Sequence, residues 1–365
     1  MKFLQALQFN MNLIKAVRLL IKPNFMKNDL KQADSLFSKK IISWYEIGGR
    51  SDLPWRKNIT AYRVWISEIM LQQTQVKTVI PFYKKFIKRY PSLKSLSEAT
   101  EEDVLALWTG LGFYRRAKNI FKTKEILKND FKNRFPKSFK DIVSLPGIGN
   151  STAGAIMSIA YRNPQPILDA NVKRTLSRFE SIQNDSSSSA DKILWQFSSK
   201  HTPQNKIFEY TQGIMDLGAT VCTPSSPSCD ICPLSKLCKS AFRVSKEKST
   251  RKKINPTRKI NFVLAINKKS LLLFKKQEET FWESLWTPYE LETGDKLPWN
   301  DSYKNKEEIN LIHKLSHLNL DINITILYFN KKFHFKSNKE HKWIEITDID
   351  KFGLPKPIKS IITNL

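Results

Sequence analysis

Four cysteines constrain this chain more than any other feature. Cys222, Cys229, Cys232 and Cys238 are its only cysteines, with the spacing Cys-x6-Cys-x2-Cys-x5-Cys. Thiolates this close together form disulfides, hold zinc or hold an iron–sulfur cluster. No secretory signal is evident, which argues against disulfides. Structural zinc favours two short Cys-x2–4-Cys pairs, and only one such pair is present. The long, unequal outer gaps suit a cubane wrapped by one continuous loop, each thiolate on one iron. The spacing therefore favours a cluster over zinc and over unligated core cysteines.

At 365 residues the chain is long enough for two domains with separate cores, and 41% hydrophobic residues give it the means to build them. Lys and Arg number 61 against 34 acids, a net charge of +27. Such an excess favours a polyanionic partner through phosphate contacts and counterion release. Abundant Lys, Asn and Ile point to compositional bias, which inflates the charge without removing its electrostatic consequence. No apolar run reaches the roughly 18 residues of a membrane span, so no membrane partner is expected. Residues 1–29 form a basic, partly apolar N-terminal extension. Lys15, Arg18 and Lys22 interrupt its apolar run, no small-residue cleavage site is clear, and Met11 and Met26 offer later starts.

Residues 30–221 read as a helical module. Apolar positions recur at three and four residues, as in Leu36, Ile41, Ile42, Trp44 and Tyr45, then Val64, Trp65, Ile69, Leu71 and Val76. Pro54, Pro81, Pro91, Pro136, Pro146 and Pro164 punctuate the helices. The cysteine loop occupies 222–240. A charged linker follows at 241–258, with Arg251, Lys252, Lys253 and Arg258. Beyond it, 259–365 changes to β patterning, with strands expected at 260–267, 270–276, 318–329 and 332–336 and a short helix at 357–365. Residues 186–189 read as a loop insertion. The expected fold is mainly α, with a smaller α+β module second.

Three places invite chemistry. Leu145-Pro146-Gly147-Ile148-Gly149 suits a tight turn between helices: Pro146 presets it, and Gly147 and Gly149 permit positive φ and close approach. Backbone N–H groups opening the next helix can grip a DNA phosphate, although a plain packing turn has the same composition. A fainter echo lies at Leu107-Trp108-Thr109-Gly110-Leu111-Gly112. Asp169 precedes a helical stretch, where an Asp is ordinarily an N-cap. Glu68 sits in an apolar helix, where a carboxylate is costly unless it is exposed or used. Desolvation would raise its pKa and keep it protonated near neutrality, as a general acid requires.

The cysteine spacing and the Pro-Gly-Ile-Gly turn resemble the helix–hairpin–helix glycosylases of the endonuclease III superfamily. Glu68-Ile69-Met70-Leu71-Gln72-Gln73-Thr74-Gln75-Val76 is very similar to the signature of MutY-type adenine DNA glycosylases. So are Leu53-Pro54-Trp55-Arg56, Trp108-Thr109-Gly110-Leu111-Gly112 and Met215-Asp216-Leu217-Gly218-Ala219. The resemblance covers 30–240 continuously and the C-terminal part more weakly. It implies a two-lobed helical glycosylase module, a 4Fe–4S cluster on the four cysteines, and a C-terminal Nudix-like domain that reads the lesion.

The resemblance also implies a base excision repair enzyme that hydrolyses the glycosidic bond of adenine mispaired with 8-oxoguanine or guanine in double-stranded DNA. Glu68 matches the acid, and Asp169 the residue that stabilises or bonds the cationic sugar, by the logic of two-carboxylate glycoside hydrolysis. Ser151 stands where endonuclease III-type enzymes carry the Schiff-base Lys, so little or no lyase activity is expected. Asn171 matches a residue that positions the catalytic groups. Trp55, Arg56 and Gln212 match the adenine pocket, where a flipped base is read. Gln72 and Phe113 match the duplex wedges, with Phe113 in place of the usual Tyr. Gly147 and Gly149 match the DNA-gripping hairpin. Ser316 and His317 match the 8-oxoguanine reader, preceded by Leu315 where Phe is usual, and Ala170 replaces a common Gly. The Nudix catalytic pattern is absent, so binding is expected there, not hydrolysis. A monomeric cytoplasmic bacterial protein, held to the nucleoid by its DNA, completes the expectation. The competing readings are a bifunctional endonuclease III-like lyase and a silent iron–sulfur DNA binder.

Overall fold

The computed structural model describes residues 35–182, 188–243, 255–277, 281–292, 296–299, 303–334 and 337–365. The extension 1–29 and most of the linker 241–258 lie outside them.

The first module is built of helices α1 (Leu36–Gly48), α2 (Ala61–Leu71), α3 (Val76–Arg89), α4 (Leu93–Leu96), α5 (Glu101–Trp108), α6 (Arg115–Asn129), α7 (Phe139–Ser144), α8 (Asn150–Ala160), α9 (Ala170–Glu180), α10 (Ser188–His201) and α11 (Ile207–Thr220). Ser35, Thr60, Ser92, Thr100, Ser138 and Asp169 each cap a helix by accepting a backbone N–H with the side chain. Ile41 and Ile42 of α1, Val64, Trp65, Ile66 and Ile69 of α2, and Ile214 and Leu217 of α11 meet in one buried core. The core keeps the 3.6-residue period that the sequence displays. Pro81 is a correction: it lies inside α3 and does not end it. The ring is exposed, where the helix can bend toward solvent to accommodate it. Ser188 and Ser189 open α10, so the expected loop insertion does not extend to them, and 186–187 lie outside the described residues.

The second module is a mixed sheet of β1 (Thr257–Asn267), β2 (Ser270–Lys275), β3 (Trp286–Thr287), β4 (Tyr289–Leu291), β5 (Tyr303–Lys314), β6 (Asn319–Phe329) and β7 (His341–Glu345), closed by helix α12 (Lys356–Thr363). Its main order is β3-β2-β1-β6-β5, with β4 on β1 and β7 on β2. β1 runs parallel to β6, in register from Thr257 with Asn319 to Ile266 with Tyr328, and the other pairs are antiparallel. Phe262, Leu264 and Ile266 join the core shared with the helices, while Val263 and Ala265 face a second core with Phe274 and Phe329. Burial on both faces explains the continuous apolar run of β1.

The expected strand at 332–336 is not found in its described part, residues 332–334, and 335–336 lie outside the described residues. β5 and β7 were not anticipated. β5 is an edge strand that exposes Lys304 to Glu308 consecutively, and only its second half, residues 309–314, alternates between half-buried and exposed residues.

The modules are joined by specific contacts. Glu102 of α5 accepts from Trp286 Nε1 at 2.8 Å and from the Gly353 backbone N–H at 2.9 Å. A Cβ on Gly353 would lie 2.7 Å from that of Leu105, so glycine allows this close approach.

Candidate active site

Glu68 lies on α2 and Asp169 at the N-cap of α9, and the charge of Asp169 reaches the Glu68 carboxyl. Burial lifts the Glu68 carboxyl to about 8, Asp169 adds to the rise, and Arg56 opposes it. Glu68 nevertheless retains some solvent contact. Asp169 Oδ1 accepts from the N–H groups of Asn171 and Val172, both at 2.8 Å. Burial also raises Asp169, against those two hydrogen bonds and the charge of Arg174. Asp169 thus caps a helix and stands half-buried where its charge reaches a second carboxyl.

The hairpin joins α7 to α8. Gly147 takes φ +79°, but Gly149 has φ −88° and is the N-cap of α8, so only the first glycine uses left-handed backbone. The expectation of positive φ at Gly149 is corrected. Ser151 Oγ accepts from the Leu168 N–H at 3.0 Å. Its hydroxyl thereby pins the segment that ends in Asp169. A Cβ on Gly154 would sit 2.3 Å from the Pro166 carbonyl, so α8 can lie this close to that segment only with glycine there.

Arg56 is buried and forks onto Asp216 through Nη1 and Nη2, both at 2.7 Å. Arg50 joins the same carboxylate through Nε at 2.8 Å. Burial alone would push Asp216 up, but Arg56 and then Arg50 more than offset it and hold the carboxyl below its usual range. Among the described residues Arg56 Nε–H has no hydrogen-bond partner, although it is buried. Gln212 lies one turn before Asp216 on α11 and is buried. Trp55 is largely buried and stands edge-on to Tyr83 at 5.5 Å, packing with the core. Asp216 had been noted only within a motif; its role as anchor of two guanidiniums arises from residues 160 and 166 positions away.

Asn171 Oδ1 accepts from Arg174 Nη2 at 2.9 Å, and Arg174 Nε donates to the Cys222 carbonyl at 2.8 Å. Arg178 Nη1 donates to the Thr223 carbonyl at 2.6 Å and stands 3.5 Å from Cys222 Sγ. The helix that opens on Asp169 therefore holds the start of the cysteine loop. The four cysteines are partly buried and line one small cavity.

Gln72 is the C-cap of α2, four residues after Glu68 on the same helix face. Phe113 is 44% exposed and takes φ +49°, after Gly110 at +99° and Gly112 at +77°. Buried Arg116 joins the two places: Nη1 donates to the carbonyls of Ile69, Met70 and Gln72, and Nη2 to that of Gly112. Burial lowers its pKa to about 10. Arg116 passed unnoticed among many basic residues in the sequence. A cleft of about 940 Å³ separates the modules, with Gln72, Phe113 and Lys118 on one side and Trp282, Ser316 and His317 on the other. Ser316 and His317 are exposed in the β5–β6 turn, with Ser316 Oγ 3.2 Å from His317 Nδ1.

Residues 66–200 match the model of the HhH-GPD superfamily base excision DNA repair proteins, and residues 222–238 match the iron-sulfur binding domain of endonuclease III. An adenine DNA glycosylase of Buchnera aphidicola subsp. Baizongia pistaciae is 41% identical, over 90% of this chain and 97% of that protein. The chain belongs to the adenine DNA glycosylase family. The human adenine DNA glycosylase is 38% identical over 58% of this chain and 40% of its own length. Among solved structures, a thermostable thymine-DNA glycosylase superposes with a TM-score of 0.52 at 28% identity, over 57% of this chain and 96% of that one. This adenine DNA glycosylase is thus a base excision repair enzyme acting on DNA, with a helix–hairpin–helix module, a C-terminal sheet domain and a 4Fe–4S cofactor. The cysteine donor set and its shared cavity fit that cofactor. Among the described residues no helix of the glycosylase is long and apolar enough to cross a membrane.

Proposed function

We propose that this enzyme hydrolyses the glycosidic bond of adenine paired with 8-oxoguanine, and of adenine paired with guanine, without cutting the strand. The observation that carries the reading is a Glu68 carboxyl held at about 8 beside Asp169. At neutral pH the first is an acid with a proton to give, on a helix whose end faces the cleft.

The reaction begins when the adenine is extruded into the helical module. Arg56, with a free Nε–H, together with Gln212 and Trp55 forms the pocket that receives the base. Glu68 protonates N7, the glycosidic electrons move into the purine, and adenine leaves. The sugar becomes cationic at C1′, and the Asp169 carboxylate stabilises or transiently bonds it. Ser151 and Asn171 hold Asp169 in place. Water then adds at C1′, with the Glu68 carboxylate taking its proton, which regenerates the acid.

Ser151 has a neutral hydroxyl, already engaged with Leu168, so no Schiff base forms and the strand stays whole. Gln72 and Phe113 wedge into the vacated stack, while the hairpin N–H groups beyond Gly147 and Gly149 hold phosphate. Ser316 and His317, on a Nudix-like C-terminal domain, read the 8-oxoguanine. Cys222, Cys229, Cys232 and Cys238 ligate the cluster. The protein works as a cytoplasmic monomer.

Single-turnover excision on an A·8-oxoguanine duplex, read with and without hot alkali, tests the reading. Adenine release with breaks only after alkali supports it. Breaks without alkali would establish lyase chemistry instead, and tight binding without release would make the protein a silent binder.

A further inference from the structure

The hairpin that presents Phe113 is strained and externally tied. Gly110, Gly112 and Phe113 all take positive φ, and for a phenylalanine that conformation persists only where neighbours enforce it. On one side Trp108 Nε1 and Arg116 Nη2 both donate to the Gly112 carbonyl, at 3.0 and 3.1 Å. On the other side the Gly110 N–H donates to the Tyr114 hydroxyl at 3.2 Å. That hydroxyl donates its own proton to the Leu354 carbonyl, at 3.0 Å, in the C-terminal domain. Leu354 also gives its N–H to Thr109 Oγ1 at 3.3 Å. The neighbouring Gly353 N–H and Trp286 Nε1 both end on Glu102. One short stretch of the sheet domain therefore lies against the base of the hairpin, and the Tyr114 hydroxyl is shared between them.

We propose that Tyr114 is a positioning residue through which the seating of the C-terminal domain sets the conformation of the hairpin carrying Phe113. When Glu102 holds Gly353 and Trp286, the Leu354 carbonyl orients the Tyr114 hydroxyl, whose lone pair then accepts from Gly110. When the domain shifts, that oxygen loses its orienting acceptor and Gly110 loses a fixed partner. Phe113 is then free to leave its left-handed backbone. A reading event at Ser316 and His317 reaches the wedge by this route without contact between them. That last consequence rests on the lesion-reading role proposed above; the coupling itself does not.

Hydrogen exchange at the amides of residues 110–112, referenced to the amides of α8, tests the coupling in the full-length holoenzyme. Trp286→Phe keeps a buried ring and removes the N–H given to Glu102, a bond that touches neither Tyr114 nor residues 110–112. It is expected to speed exchange at 110–112 roughly fivefold, the factor worth one ordinary hydrogen bond. Glu102→Ala should do at least the same, and Glu102→Gln, whose one carbonyl oxygen can keep only one of the two donors, should fall between Glu102→Ala and the wild type. In a Tyr114→Phe background, Trp286→Phe should add nothing. Unchanged exchange at 110–112 in both Trp286→Phe and Glu102→Ala overturns the proposal, as does acceleration equal to that of α8, which marks general destabilisation. The ratio of single-turnover rates on A·8-oxoguanine and A·G duplexes is read in parallel. A selective change in exchange with an unchanged ratio keeps the coupling and removes lesion reading from the C-terminal domain.

Discussion

Glu68 shows what one buried carboxyl costs and supplies. Its pKa is 4.5 in the unfolded chain and about 8 in the fold, so the fold keeps a proton that the unfolded chain has lost. Stability therefore falls as pH rises from about 4.5 toward about 8, where the folded form binds more protons. Glu68→Gln never ionises. Its melting temperature should exceed that of the wild type at pH 8, and the gain should vanish below pH 4.5. The same variant should lose adenine release by roughly 10²-fold or more, the usual worth of a general acid. Wild-type single-turnover excision should fall as pH passes about 8; a rate that keeps rising through pH 9 would exclude this acid. Asp216 presents the opposite case. Asp216→Asn leaves two guanidiniums facing one neutral amide, and breaking a buried pair in this way costs about 3–5 kcal/mol. Thermal unfolding should show that loss even in the absence of DNA. Glu68 and Asp169 each drew notice locally, one within an apolar helix and the other before a helix start, but the roles proposed for them came from the resemblance to adenine DNA glycosylases. The sequence left Asp216 without a role because its partners lie far away in the chain.

At the scale of elements, the site depends on how closely α8 and α11 approach the segment around Asp169. Gly154 faces the Pro166 carbonyl, and Gly218 faces Asn171, where an added Cβ would come within 2.7 Å of its Cβ. Gly154→Ala should push α8 off the Asp169 segment, and overpacking of this kind costs about 1–3 kcal/mol. Because the Ser151 bond to Leu168 shares that interface, excision should fall further than the melting temperature alone accounts for. Equal excision by Gly154→Ala and the wild type would detach the segment from α8. The helices themselves were largely readable, since period and capping residues agree along them. Pro81 misled because a proline on an exposed helix face bends a helix without ending it. The sheet was readable in β1, β2 and β6, whose apolar content is dense. β5 was not readable, because Lys304 to Glu308 in its first half are all exposed and only Ile309 and Leu311, alternating with exposed residues, mark a side packed on the core.

The whole molecule combines a strongly basic chain, a cluster loop and two modules facing one cleft. A net charge of +27 predicts steep salt dependence. The logarithm of DNA affinity should fall linearly with the logarithm of salt concentration, by about 0.9 for each phosphate neutralised. A slope near zero in a filter-binding titration would show that charge does not govern docking. Removal of iron by a chelator should lower thermal stability and excision together, since Arg174 and Arg178 tie the cysteine loop to the helix that opens on Asp169. Docking by charge contrasts with the way the wedges are held. Arg116 meets the carbonyls of Ile69, Met70, Gln72 and Gly112 and the Thr74 hydroxyl, all of them neutral. Fixed dipoles attract no counterions and gain no proton, so the salt and acidity that tune capture leave this arrangement alone. The enzyme thus arrives on DNA with a strength set by its surroundings and probes each base pair with a tool whose shape is not.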